Sequence, residues 1–382
     1  MSTVKKKTPV TKTARKSGHP LTRWLRATIK HLLFTVNMVF VLFHVFAMLS
    51  KWTPPDSFMW FSYFGLFYPI IFFVNVVFMV LWMVRKKRMW IVLCLLLLLS
   101  IRSNNDVFTI PFKKKPVLSA APIKLLSYNI SLFSGEKNYR QIVDFIFNTD
   151  ADIVCLQEFG YYNHASKLSA AAIVSLFEQK YPYHHIWYKN QNRMASWGAA
   201  TFSKHPIVHK HKIEYDSRFN ISIYSDIILG GDTVRVMNNH LESNKLTMRD
   251  FKEYHNDNKD RSEFMNVSVM MSEKLGAAYI IRAKQARVVA NEIQASPYPV
   301  VVCGDFNDVP TSYAYQTIKK GLIDAYTATG WGYRYTYYQN GMLVGIDHVL
   351  LDKHFAPVSC RIVHTGFSDH YPVIAEWVHK RQ

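Results

Sequence analysis

The sequence predicts a membrane-embedded helical region followed by a soluble domain of the α/β or α+β class. Three observations carry this prediction: long uncharged apolar blocks before residue 102, a basic excess in the same region, and short apolar runs separated by polar loops after residue 115. Unbroken apolar blocks are typical of bilayer helices, whereas short β-rich runs are typical of strands. The 49% hydrophobic content and the four Cys exclude a disordered chain and a disulfide-stapled scaffold.

Charge is distributed unevenly along the 382 residues. Of the 46 Lys and Arg, 18 lie before residue 116, together with only two of the 27 Asp and Glu. The remainder carries 28 basic and 25 acidic side chains, a net charge of +3. The overall charge of +19 therefore belongs to the membrane-proximal third and does not indicate a nucleic-acid-binding domain.

Three apolar blocks are predicted to form a transmembrane region over residues 31–101. Block 31–49 has 19 residues without a formal charge, about 28 Å as a helix, and is expected to span. Block 58–84 has 27 uncharged residues, with a kink expected at Pro69, and is expected to span with tilt. Block 89–101 has only 13 residues, so it either spans or forms a re-entrant segment.

Basic residues predict the orientation of these helices. Nine Lys and Arg precede residue 31, residues 85–88 are all basic, and only Lys51 lies between the first two blocks. The positive-inside rule places the N-terminus (1–30) and the second turn in the cytoplasm. If the third block spans, a multi-pass anchor in the lipid bilayer and a linker (102–122) hold the soluble domain (123–382) in the periplasm or outside the cell.

The soluble domain alternates strand-like and helix-like segments. The clearest strands are predicted at 123–129, 153–157, 233–238, 300–303 and 349–351, and helical patterns lie at 140–148, 167–179 and 281–293. Segment 244–279 begins polar and turns Met-rich, which predicts either a lid or membrane-facing flap, or a surface loop with an ordinary packed helix.

Polar residues with catalytic chemistry lie next to the apolar runs and are interpreted as following them. Ligands often bind at strand ends because the loops there converge on rigid supports. Taken singly, each such residue is more often a turn former or a surface side chain. Together they predict a site: Asn129, Glu158, His240, Asp305, Asn307, Asp347, His348, Asp369 and His370.

Seven motifs carry a family resemblance: LLSYNI, DIVCLQE, GAATFSKHPI, VMNNHLES, VVCGDFNDVP, GIDHVLL and SDHYPV. In their order and approximate spacing, residues 124–377 resemble the endonuclease/exonuclease/phosphatase superfamily. The resemblance implies a four-layered deoxyribonuclease-I-like (DNase I-like) sandwich of two mixed β-sheets with helices outside. It also implies divalent-metal-dependent cleavage of a phosphate ester, here by a membrane-anchored bacterial member.

The residue inventory suits such chemistry. Glu158 is the expected principal ligand for Mg²⁺, with Mn²⁺ as the alternative, and Asn129 and Asp369 are its expected neighbours. A zinc site is disfavoured because Cys155 and Cys303 lie inside apolar strand runs, where they are interpreted as small core residues.

The remaining candidates suit proton transfer and phosphate binding. Asp305 is expected to orient or deprotonate the attacking water, and Asn307 to donate to a phosphate oxygen. His370 paired with Asp347 makes an oriented imidazole, and His240 is placed on the other side of the phosphorus.

Two departures from the superfamily weaken a DNA-repair assignment: Ser131 lies where the abasic-site nucleases carry an acid, and His348 replaces a common aromatic. A phospholipid head group or small phosphate ester is therefore the favoured substrate. A nuclease acting on DNA or RNA and a catalytically silent binding domain are the alternatives. Oligomeric state is not predicted.

Overall fold

The computed structural model describes residues 20–110, 121–135, 137–162, 170–191, 195–246, 261–339 and 342–380. Its helices are α1 (Pro20–Leu49), α2 (Trp60–Leu66), α3 (Tyr68–Val84), α4 (Met89–Leu99), α5 (Ile101–Val107), α6 (Tyr139–Thr149), α7 (Ala170–Glu178), α8 (Arg261–Gln294), α9 (Tyr313–Lys319) and α10 (Ala325–Thr329). Its strands are β1 (Phe108–Thr109), β2 (Ile123–Asn129), β3 (Ile153–Tyr162), β4 (Tyr183–Gln191), β5 (Ala195–Ser203), β6 (Ile207–Ile213), β7 (Ser222–Leu229), β8 (Asp232–His240), β9 (Val300–Asp305), β10 (Ile323–Asp324), β11 (Gly332–Tyr333), β12 (Asp347–Leu351), β13 (Phe355–Ile362) and β14 (Val373–His379).

Two six-stranded mixed sheets form the centre of the soluble domain. Sheet 1 has the order β13-β14-β2-β3-β5-β4, and sheet 2 has the order β10-β12-β9-β8-β7-β6. Each contains one parallel pair, β2 with β3 and β8 with β9, and all its other pairs are antiparallel.

The core lies in three apolar layers. Side chains from both sheets, including Leu125, Val236 and Trp377, fill the space between the sheets. Helices α6 and α7 cover the outer face of sheet 1, and α8 and α9 cover that of sheet 2. The predicted four-layered sandwich is therefore confirmed, and Cys155 and Cys303 are buried core residues as interpreted.

The membrane region differs in detail from the apolar blocks. Helix α1 begins at Pro20, eleven residues before the predicted block, and over 21–49 it is long and apolar enough to cross a bilayer. The predicted second span is broken at Phe67, where α2 and α3 meet at 68°, and α4 and α5 meet at 63°. The region has one candidate span in the described residues, or up to three if each bent pair is one span.

Pro69 lies in the first turn of α3 and not within a continuous helix. Proline has no backbone N–H, and this costs nothing at the start of a helix, because the N–H groups of the first turn have no intrahelical acceptor. Pro69 therefore lies at the start of α3 instead of kinking a continuous helix. The break between α2 and α3 lies before it, at Phe67.

The segment predicted as a linker begins with regular structure. Helix α5 covers its first residues, and β1 pairs antiparallel with β11 of the soluble domain. Residues 111–120 lie outside the described part of the chain. In the segment proposed as a flap, residues 261–279 belong to α8, which also contains the helix predicted at 281–293.

Candidate functional site

Three polar residues form a row across sheet 2. His240 lies opposite Asp305 in the parallel pair β8–β9, and Asp347 lies opposite Asp305 in the antiparallel pair β12–β9. All three are buried. The register of adjacent strands therefore sets the spacing of this row.

Two strands contribute site residues that lie at or before the start of the strand. The interpretation that every candidate follows an apolar run is therefore wrong for these residues. Asp347 is the first residue of β12, and Asp369 and His370 precede β14. Strand β12 runs antiparallel to β9, and β14 runs antiparallel to β2. The start of an antiparallel strand lies at the same edge as the end of its neighbour, so these residues reach the same edge of the sandwich.

Asp305 is held by hydrogen bonds from both sheets. Its Oδ2 accepts from Asn129 Nδ2 at 3.0 Å and from Asn307 Nδ2 at 3.2 Å, and its Oδ1 accepts from the Asn307 backbone N–H at 2.8 Å. Burial raises the pKa of Asp305 to about 6, although His370 opposes this shift. A carboxylate with that pKa can accept a proton at neutral pH.

His370 and Asp347 form a hydrogen-bonded pair. His370 Nδ1 lies 2.9 Å from Asp347 Oδ2, while His370 Nε2 lies 3.7 Å from Asp305 Oδ2. Burial lowers the pKa of His370, but Asp347 and Asp305 outweigh it and hold this pKa well above its usual value. The imidazole is therefore positively charged at neutral pH, with Nε2–H directed toward the site.

His240 approaches the site from β8. Its Nε2 lies 3.8 Å from both Asp305 Oδ2 and Glu158 Oε1, and 2.9 Å from Asn220 Nδ2. Burial lowers the pKa of His240 more than Asp305 raises it, so this imidazole is neutral at pH 7. The two histidines thus differ in charge.

Glu158 lies at a β-bulge in β3, where the pairing with β5 shifts between Gln157 and Phe159. Its φ of 50° is unusual for a residue with a side chain and fits the extra residue of a bulge. Its side chain is 34% exposed, so the carboxylate lies at the rim. Burial and the negative charge of Asp369 raise the pKa of Glu158.

A profile of the endonuclease/exonuclease/phosphatase family matches residues 126–370, more than half of the chain. The chain belongs to this family. A second profile, of a domain of unknown function (DUF8431), matches residues 30–105. No curated protein matches this chain.

Solved structures of the family are similar at low identity. Humanized D. rerio TDP2 with 14 mutations is 16% identical over 68% of this chain and 100% of its own (TM-score 0.46). The human Nocturnin catalytic domain with bound sulfate is 19% identical over 71% and 100% (TM-score 0.46). The endonuclease/exonuclease/phosphatase from Beutenbergia cavernae is 16% identical over 68% and 72% (TM-score 0.48).

The endonuclease/exonuclease/phosphatase site contains groups that fit a divalent cation. Ligand-type atoms of Asp305, Asp347 and His370 lie within 4.8 Å of one another, and the oxygens of the two carboxylates can bind a cation while His370 is protonated. Asp347 Oδ1 is buried without a hydrogen-bond partner among the described residues, which leaves one carboxylate oxygen free to bind a cation. At the rim, Glu158 and the half-buried Asp369 supply further oxygen ligands of the type that Mg²⁺ prefers.

Two amides predicted to face a ligand are engaged within the protein. Asn129 turns Nδ2 toward Glu158 Oε1 (3.4 Å) and Asp305, while its Oδ1 accepts from the backbone N–H of Ser131. Asn307 donates through Nδ2 to Leu241 O at 3.0 Å as well as to Asp305. In this geometry both amides orient the carboxylates.

The two departures from the family pattern have local explanations. Ser131 begins a left-handed turn, in which Leu132 to Ser134 all have φ between 51° and 55°. His348 points away from the site: its ring packs against Phe306 and Tyr315, and its Nε2 lies 3.0 Å from Asp308 O. His348 thus occupies a core position that an aromatic side chain could fill.

Several supporting residues were not predicted from the sequence. Asn220 contacts His240, and Thr336 Oγ1 accepts from the Asp347 backbone N–H at 3.0 Å. Gln157 and Asn238 are buried between the sheets. The only sequence signal for this pair is a polar side chain at an inward-facing position of an apolar strand.

Proposed function

We propose that the chain is a membrane-anchored, Mg²⁺-dependent phosphoesterase that acts on phospholipid head groups or small phosphate esters. The observation that carries the proposal is the buried meeting of the Asp305 carboxylate with His370 and His240, whose Nε2 atoms each lie within 4 Å of its Oδ2. Hydrolysis of a phosphate ester needs an activated water and stabilisation of a developing negative charge. The site offers side chains for both tasks.

The residues divide the chemistry as follows. Asp305 accepts the proton of the attacking water, and Asn129 and Asn307 fix the direction of its carboxylate. The water oxygen bonds to phosphorus as the bond from phosphorus to the leaving oxygen breaks, and His370 donates its Nε2 proton to that leaving oxygen while Asp347 holds Nδ1. Bound Mg²⁺, held by Glu158 with Asp369, would neutralise further negative charge on the phosphate.

An exposed apolar rim beside the membrane helices supports a bilayer-associated substrate. The apolar rim consists of Phe108, Ile110, Trp331 and Leu343, of which Trp331 is 80% exposed. Tyr333 connects it to the membrane region, because its ring lies 5.0 Å from that of Phe108 and it also packs against the buried cluster of α1 and α3.

The same loop reaches the site. The ring of Tyr337 lies 5.1 Å from that of His370, and Tyr337 lies only six positions after Trp331 along the chain. Six residues extend at most about 20 Å, so Trp331 of the apolar rim lies within about 20 Å of Tyr337, which contacts the site. A substrate at the bilayer surface is therefore within reach.

The test is a competition among substrates. Purified full-length protein in detergent is offered phospholipid vesicles, nucleotide esters and plasmid DNA at low salt, each with Mg²⁺ and with EDTA. We expect Mg²⁺-dependent turnover of lipid or small esters. Faster plasmid nicking would instead establish a nuclease, and the absence of turnover with binding retained would establish a silent binding domain.

We further propose a multi-pass topology with the catalytic domain in the periplasm or outside the cell. The basic residues before residue 31 and at 85–88 support this orientation. A reporter fused after Gln382 should be active only outside the cytoplasm, and a cytoplasmic signal would reverse the assignment.

A further inference from the structure

Helix α2 is packed between two parts of the soluble domain. On one side, Tyr63 donates a hydrogen bond to Ser272 O of α8 at 2.6 Å, and its ring lies 5.6 Å from that of Tyr279. On the other side, Gly65 contacts the loop that follows β9. Helix α2 therefore lies in the predicted membrane region by sequence but packs as an element of the soluble domain.

Two glycines permit this close approach. A Cβ on Gly65 would lie 2.5 Å from Ser50 Oγ and 3.3 Å from Thr311 O of the soluble domain, and a Cβ on Gly276 of α8 would lie 2.3 Å from Met59 Sδ and 2.9 Å from the Tyr63 hydroxyl. The shorter distance at each glycine is too short for any larger residue without movement of the neighbours. The interface is thus close-packed on both faces of α2.

Thr311 is bonded to the membrane region through both its side chain and its backbone. Its Oγ1 donates to Gly65 O at 2.8 Å, and its carbonyl oxygen accepts from Ser50 Oγ at 2.7 Å. All of these bonds are buried. Buried hydrogen bonds of this kind fix geometry because each partner would otherwise be unsatisfied.

The loop that contains Thr311 also carries part of the site. Phe306–Ser312 follows Asp305 directly, and Asn307 within it donates two hydrogen bonds to that carboxylate. Asp308 is fixed by the buried guanidinium of Arg282 from α8, at 3.1 Å. Three residues therefore separate Asn307, which orients Asp305, from Thr311, which is bonded to Gly65 and Ser50.

A second set of contacts holds the two parts together elsewhere. Asp106 of α5 pairs with Lys51 at 3.2 Å and with Lys319 of α9 at 2.6 Å, and the first pair is buried. Together with the β1–β11 pairing, these contacts join the membrane-proximal segment to the soluble domain at places other than α2. A membrane anchor that only tethered the soluble domain would not need these ion pairs or this strand pairing.

We propose that Thr311 is a positioning residue, through which Ser50 and α2 hold the loop that orients Asp305. The membrane region is then part of the support of the active site. The inference goes beyond the proposed function, since it concerns how the site is held and not what it cleaves.

The first test asks whether the interface exists without covalent linkage. A protease site is inserted between Lys114 and Lys115 of the full chain, and the purified protein is cut in mild detergent. We expect the two fragments to co-purify. Separation of the fragments under these conditions would overturn the proposal, and this readout needs no substrate.

The second test compares matched substitutions. Thr311→Val removes the hydroxyl but keeps the volume, Thr311→Ser keeps the hydroxyl, and Thr329→Val removes a hydroxyl that bonds to Ala325 O at 2.8 Å within α10 and has no hydrogen bond to α2 in the described part of the chain. We expect Thr311→Val to lower kcat about tenfold with little change in KM, and to speed amide hydrogen exchange in peptide 305–312.

Thr311→Ser should restore both values, and Thr329→Val should change neither. Equal behaviour of Thr311→Val and Thr329→Val in hydrogen exchange would overturn the positioning role even if no substrate were found. A rise in KM alone would assign Thr311 to substrate binding and would also contradict the proposal.

Discussion

Gln157 Nε2 donates a hydrogen bond to Asn238 Oδ1 at 2.7 Å, joining sheet 1 to sheet 2 directly beneath the site. Asn238 in turn donates through Nδ2 to Leu156 O and Ala200 O of sheet 1. Gln157 precedes Glu158, and Asn238 lies two residues before His240. This buried polar contact therefore sets how the edges of the two sheets align.

The first prediction concerns this contact. Asn238→Leu and Gln157→Leu should each lower stability by about 1–3 kcal/mol, because each leaves a buried polar partner unsatisfied. The double variant should lose less than the sum. Thermal unfolding measures the change, with the exposed Gln179→Leu as control. Additive losses would mean that the two side chains do not act together.

The second prediction concerns the cation. Glu158→Gln should lower Mg²⁺-dependent activity by several orders of magnitude while leaving the melting temperature nearly unchanged, since it removes one charge at the rim. Glu214→Gln, on a side chain that is 74% exposed and pairs with Lys212, is the matched control. Robust turnover by the unmodified protein in EDTA would refute the metal assignment.

The third prediction concerns the pair formed by His370 and Asp347. His370→Ala and Asp347→Ala should impair the same step, because Asp347 acts by holding the charge and orientation of the imidazole. The double variant should then lose far less activity than the product of the two single losses. Measured kcat/KM values that multiply would show two independent roles.

The fourth prediction concerns acid stability. Burial, with a smaller contribution from Arg334, lowers the pKa of His348 from 6.5 to about 4. A folded-state pKa below the unfolded value stabilises the protein above pH 6.5, and this contribution is lost as the pH falls toward 4. The loss amounts to about 3 kcal/mol.

His348→Phe should remove this contribution. The melting temperature of the variant should therefore fall less between pH 7 and pH 4.5 than that of the unmodified protein, whatever its absolute value. An unchanged pH dependence in His348→Phe would contradict the prediction.

Much of the fold was predictable because its strands and helices follow local periodicity. Strand β2 has the predicted bounds 123–129, and each end of α6 lies within one residue of the predicted range 140–148. The motifs also predicted that His370 pairs with Asp347. The strand predicted at 349–351 placed Asp347 just before it, but the sequence could not indicate that this strand runs antiparallel to β9, which brings Asp347 to the edge where β9 ends.

The break at Phe67 was equally hidden. Hydropathy measures transfer to an apolar phase and contains no term for packing of α2 against the soluble domain, which is a tertiary effect. The contact of Gln157 with Asn238 was hidden for the same reason, since their strands lie in different sheets and 81 residues separate them.

Strand β14 lies inside sheet 1, between β13 and β2, although it follows every other strand of that sheet along the chain. During synthesis, the edge of β2 that pairs with β14 therefore stays unpaired until Val373–His379 has been made. Trp377 and His370 arrive with the same stretch, one for the core and one for the site. A nascent chain that has not reached this point lacks both the strand that pairs with β2 and the His370 imidazole, so the site cannot assemble before β14 has been made.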